Sequence, residues 1–190
     1  MPLTFHPGPR SHHQPVVVGN VAHDLTHLDP VTFETPSVKL GRSIRTWCWF
    51  TTHTFTKSAA PGHPGPILLD EGRRPRVFCP DRYALSYHLP TAVRLLANPD
   101  HYVWECASER NWLHRAEVVV SDPTGAAIAY QVFFALKRAD RGTGHDVEMI
   151  VESAYAYDPR RAPKVVGRAK ITGLLAATVQ GRKLHTQRKG

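Results

Sequence analysis

Arginine, histidine, glutamate and hydroxyl side chains, the groups that handle phosphate chemistry, gather in one part of this sequence. In RVFCPDRYALSYHLPTAV, residues 76–93, Arg82 and Ser86 stand one helical turn apart and His88 follows them. Arg110 and Asn111 precede His114 and Arg115, and Glu152 stands in DVEMIVESAYAY ahead of Ser153 and Tyr155. Metal-free RNA cleavage needs a base near the 2′-oxygen, an acid near the leaving 5′-oxygen and cations for the charge that builds on phosphorus. Glu or His serves as base, His or Tyr as acid, and Arg or Lys as clamp.

Each residue also has a structural reading. The helix phase aims Arg82 at the sheet, as a phosphate clamp or as half of an ion pair with Glu117, Glu148 or Glu152. His88, at the kink made by Pro90, is an acid/base group or a satisfied structural histidine. His114 and Arg115 are adjacent in a strand, face opposite sides and cannot share one pocket. Alternation places Glu148, Ile150, Glu152 and Ala154 on one face of the last long strand. Val147, Met149, Val151, Ser153 and Tyr155 take the other. A carboxylate among Ile150 and Ala154 requires a partner, which makes Glu152 a structural ion or a tuned general base. In TTHTFT, His53 and Thr56 either contact phosphate or belong to a half-exposed strand. His23 and His27 in HDLTH have the spacing of two metal ligands on one helix face. They lack the Glu of an HExxH motif and any third ligand, so neither metal nor cofactor is expected.

The elements that must position these groups read as α+β. Residues 1–35 form an arm with a short helix at VAHDLTHL. A strand runs from Ser37 into IRTWCWFTTHTFT, and ILLDEGRRPRVFC makes a hairpin. Asp81 caps a helix over 81–88 that restarts at Pro90 and stops at Asn98-Pro99. Strands at 112–120, 127–138 and 146–157 make an antiparallel meander with helices packed on one face, preceded by extra N-terminal strands. APKVVGRAKITGLLAATVQGRKL reads as a basic amphipathic helix whose apolar side, Val165, Ile171, Leu174 and Leu175, suits a membrane surface or a protein partner. The expected organisation is an arm over 1–35, one core domain over 36–158 and a basic tail over 159–190.

Charge is segregated. The chain carries 24 basic and 16 acidic residues, and residues 159–190 hold nine of the basic ones and no acid. The preceding 158 residues are close to neutral, so the basicity points to a polyanion partner for one segment. No stretch approaches the ~20 apolar residues of a membrane span. MPLTFHPGPRSHHQP lacks the apolar core of a secretory signal, which gives a cytoplasmic expectation. Cys48, Cys79 and Cys106 form no CxxC pair and read as reduced thiols.

The succession RYALSYHLP, LLANPDHYVWECASERNWLHR and IVESAYAYD over residues 82–157 resembles the barnase–EndoU–colicin–RelE grouping of small ribonucleases. It is closest to the phage- and mobile-element-associated members. The resemblance implies a toxin-type endoribonuclease acting on cellular RNA. Arg82 and Arg115 would hold the phosphate, with Glu152 and His114 or His88 as the acid/base pair. His53, Thr56, Ser86, Arg110, Asn111, Ser153 and Tyr155 would touch substrate. Such an enzyme implies a neutralising antitoxin or immunity partner, an acidic protein docking on the tail. The alternative is a non-catalytic nucleic-acid-binding accessory protein of a mobile element.

Overall fold

The computed structural model describes residues 12–63, 65–107, 112–122, 124–161 and 163–182. The chain begins with the small hairpin β1 (Val16–Val18) and β2 (Val21–His23). β3 (Val31–Ser37), β4 (Arg42–Phe50), β5 (Thr56–Ser58), β6 (Leu68–Leu69) and β7 (Pro75–Phe78) come next. Helices α1 (Pro80–Ser86) and α2 (Leu89–Leu95) lead into β8 (Tyr102–Ala107), β9 (Trp112–Ser121), β10 (Ala127–Arg138) and β11 (Val147–Ala156). The edge strand β12 (Lys164–Lys170) and helix α3 (Ile171–Val179) follow.

Seven strands form one sheet in the order β12-β8-β9-β10-β11-β4-β3. All of its neighbouring pairs are antiparallel except β11 with β4. A second sheet, β5-β7-β6, packs beside it. The meander β9–β10–β11 is the one expected, and the break between α1 and α2 falls where Pro90 leaves Ser86 without an N–H to bond. Pro80, rather than Asp81, opens α1, with Cys79 at the cap position.

The helices cover one face of the large sheet. Ile44, Cys48, Phe50, Val132, Phe134, Val147, Met149 and Val151 meet Leu89, Val93, Leu96, Ile171, Leu174 and Leu175 from the helices in a single core. The three cysteines are free and buried.

Two expectations change. The boundary after residue 35 falls inside β3, which is a strand of the large sheet. The expected basic helix divides: residues 164–170, whose charges Lys164, Arg168 and Lys170 share one strand phase in the sequence, form β12, and only 171–179 are helical. The helix buries Ile171, Leu174 and Leu175, so its apolar side is spent on the core and is not offered to a membrane or a partner. β8 escapes the sequence pattern because Glu105 shares the core-side phase of fully buried Val103. No helix among the described residues is long and apolar enough to cross a membrane.

The parallel β4–β11 pairing is anchored at the start of β11. Asp146 accepts two hydrogen bonds from the Arg42 guanidinium at 2.8 and 2.7 Å and one from the Arg45 N–H at 2.9 Å. Its own N–H donates to the Arg45 carbonyl at 2.8 Å. Arg42 holds the Asp146 carboxyl below its ordinary range, against some desolvation. A depressed carboxylate contributes stability above its unfolded value and loses it as pH falls through the folded one. Asp146→Ala is therefore expected to cost about 1–2 kcal/mol in urea melts at pH 7, a modest figure because Arg42 is half exposed. The difference should shrink progressively below about pH 4; an equal difference at pH 7 and pH 3 would contradict this account.

Candidate active site

β4 stops pairing with β11 at Val151, and the chain turns away through a 3-10 turn at Thr52–Thr54. The turn is tied back to β11 by the Thr51 N–H on the Val151 carbonyl at 3.0 Å and the Thr51 hydroxyl on the Glu152 carbonyl at 2.9 Å. At the same place β11 bulges. Its register with β10 steps from Phe134 opposite Val151 to Phe133 opposite Ser153, which leaves Glu152 without a cross-strand partner. The bulge corrects the face assignment: Ala154 joins Val151 in the core, while Ser153 and Tyr155 take the opposite face.

Around this bulge the structure gathers Arg82, His53, Thr56, Glu152 and Tyr155. Arg82 reaches from α1 and donates through Nη1 to the carbonyls of His53 at 2.9 Å and Thr56 at 2.8 Å. Its guanidinium lies 5.5 Å from the centre of the Tyr155 ring. None of the expected carboxylates is its ion partner. Glu117 accepts from Gln131, and Glu148 accepts from the Trp49 indole N–H and faces Lys137. Thr56 is fully buried; its hydroxyl donates to the Thr52 carbonyl and accepts from Arg76, so it braces the turn and does not face solvent.

Two acids that sequence reading passes over complete the cluster. Asp70 lies in the turn between β6 and β7, 3% exposed, and its Oδ2 is 2.9 Å from Nε2 of His53. Burial pushes the Asp70 carboxyl up. The N–H groups of Arg74 and Gly72, together with His53, outweigh that and hold it below its usual range. Glu71 accepts from the N–H and hydroxyl of Thr52 at 2.7 and 3.0 Å. The signal was LLDEG, a tight acidic turn, but pairing it with a histidine 17 residues earlier takes the tertiary fold.

Glu152 differs from these neighbours. Its carboxyl makes no hydrogen bond among the described residues. Desolvation pushes it above the ordinary glutamate value; nearby His53 pulls it back and Glu71 pushes it up again. A half-buried acid lacking a donor among the described residues, placed by a bulge near an Asp-held imidazole, has the features of a tuned base.

The other expected residues lie elsewhere. His88 bonds through Nε2 to the Ser121 carbonyl at 2.8 Å, tying the start of α2 to the end of β9. Ser86 is buried, donates to the Tyr83 carbonyl and pairs with His27 at 2.7 Å. His114 is sealed on the core face beside Phe134 at 1% exposure, and Arg115 takes the opposite face against Trp104. His114 is closed off from solvent, and the sheet separates it from Arg115. Arg110 and Asn111 lie outside the described residues. His23 and His27 are not on one helix: His23 ends β2 and stacks on Phe78, and His27 stacks on Tyr87.

The model of the YjaZ family matches residues 15–179. The chain belongs to the YjaZ family. No curated protein and no solved structure matches it. The YjaZ match begins one residue before β1 and ends with α3, so it takes in β12 and α3 with the rest of the domain.

A raised carboxyl makes ionisation costly in the folded state: the penalty is absent below the unfolded value and appears as pH rises through the folded one. Glu152→Gln removes that charge. It should leave stability at pH 7 unchanged or raise it by up to about 1 kcal/mol, with no difference near pH 4. A marked loss of stability in thermal melts at pH 7 would show that the Glu152 charge is structural.

Proposed function

We propose that this protein is an endoribonuclease that cleaves RNA by acid/base chemistry without need of a metal, with Glu152 as general base and His53 as general acid. The observation that carries the reading is the Glu152 carboxyl, half-buried and without a hydrogen-bond donor beside the His53–Asp70 pair. Glu152 takes the proton of the 2′-hydroxyl, whose oxygen bonds to phosphorus as the bond to the 5′-oxygen breaks. The leaving 5′-oxygen takes its proton from Nδ1 of the His53 imidazolium, whose Nε2–H stays on Asp70. Arg82 supplies positive charge at the phosphate with the guanidinium nitrogens not committed to the two carbonyls. The raised carboxyl makes Glu152 a stronger base than a solvated glutamate. On this reading an acidic neutralising protein is the expected partner.

Binding without cleavage is the second reading. It is favoured by the commitment of Arg82 Nη1 to backbone and by the removal of His88 and His114 from the cluster.

Incubating the purified chain with 5′-labelled RNA in EDTA separates the two. The expected products end in 2′,3′-cyclic phosphate, and His53→Ala and Glu152→Gln should each slow cleavage by about 10²- to 10⁴-fold. Absence of cleavage by the native chain, or rates unchanged in both variants, would overturn the enzyme reading.

A further inference from the structure

The sheet face turned away from the helices carries a row of rings and cations that begins at the bulge. The Tyr155 ring stacks on Phe133 with centres 5.1 Å apart, and Phe133 lies directly opposite Arg115 in the β9–β10 register. The Arg115 guanidinium is 5.0 Å from the centre of the Trp104 ring. Arg168 on β12 lies 5.8 Å from that ring and 4.1 Å from Tyr102. Lys170 ends the row, 5.7 Å from Tyr102, with its ammonium on Asp100 at 2.6 Å.

Two features do not fit a self-contained structural stack. Arg115 is 8% exposed, yet it has no carboxylate within ion-pair distance among the described residues, and its Nε has no hydrogen-bond partner. Buried guanidinium groups ordinarily pair with an acid, so a missing anion is the simplest completion of this one. Arg168 is exposed and lies against two rings, and its guanidinium makes no hydrogen bond among the described residues.

We propose that this row is a binding track for single-stranded nucleic acid, with phosphates on Arg115 and Arg168 and bases stacked on Trp104 and Tyr102. Alternating flat rings and cations match alternating bases and phosphates. An acidic peptide would satisfy the cations and leave the rings unused, and the bases of a duplex are stacked on one another and cannot lie on side chains. From β11 to β12 the row crosses four strand spacings, about 19 Å, which suits a strand of a few nucleotides. The track ends at Tyr155, against Arg82, so a bound strand leads toward Glu152. The choice of RNA over DNA rests on the proposed cleavage; the preference for single strands does not.

The test measures anisotropy of a labelled 12-nucleotide oligo(U) with the full chain carrying Glu152→Gln, which removes cleavage from the binding measurement. Arg168→Ala and Tyr102→Leu change exposed side chains, and near-ultraviolet circular dichroism verifies the fold of each. Each should weaken binding at least fivefold. Arg168→Ala should also lower the slope of log affinity against log salt by about one. Oligo(dT) of the same length should bind comparably, and a 12-base-pair duplex at least tenfold more weakly. Affinity unchanged in both variants, equal affinity for the duplex, or no binding of any oligonucleotide would overturn the track. Binding that weakens as described in a protein whose native form cuts no RNA leaves the track standing and removes the nuclease reading. Cutting with binding unaffected by either substitution does the reverse.

Discussion

A single extra residue in β11 decides where the polar groups of this protein meet. Pairing with β10 continues past Val151, while pairing with β4 ends there, so the strand must change neighbour and register within three residues. The bulge absorbs that mismatch, and Glu152 is the residue it leaves unpaired. Without the bulge, Ser153 and Tyr155 would keep the phase of Val151 and point into the core, and the ring row would lose its first member.

The turn that leaves β4 is built around the same point. Thr51 fixes it to β11, Arg82 clamps the carbonyls of His53 and Thr56, and Glu71 satisfies the Thr52 N–H. The result is a rigid frame from which His53 extends to Asp70. Asp70 and Glu71 are held by hydrogen bonds, whereas the carboxyl of Glu152 makes none among the described residues. An acid kept where its ionisation is disfavoured costs stability, and such costs recur where a group is retained for reactivity.

Much of the scaffold was legible beforehand. The meander β9–β10–β11, the proline break between α1 and α2, and the Asp122–Gly125 hydrogen bond between β9 and β10 follow from period-two patterning and turn chemistry that act locally. Residue type together with helix phase and strand alternation points to Arg82, His53, Glu152 and Tyr155, but links them through His88 and His114. That link failed because a bulge shifts phase in a way no alternation reveals, and because a histidine on a strand reads the same whether its face is covered or open. Asp70 was invisible for another reason: its role depends on β5, β6 and β7 folding back beside β4. β12 reads as helix in the sequence because Lys and Arg along 164–170 satisfy both periods, and pairing with β8 decides the matter.

The most direct test of the acid/base pair is the pH dependence of RNA cleavage under single-turnover conditions. A carboxylate base and an imidazolium acid should give a bell-shaped profile. The residual activity of Glu152→Gln should lose the acid limb and that of His53→Ala the alkaline limb. A profile whose two limbs survive both substitutions would contradict the assignment of these residues.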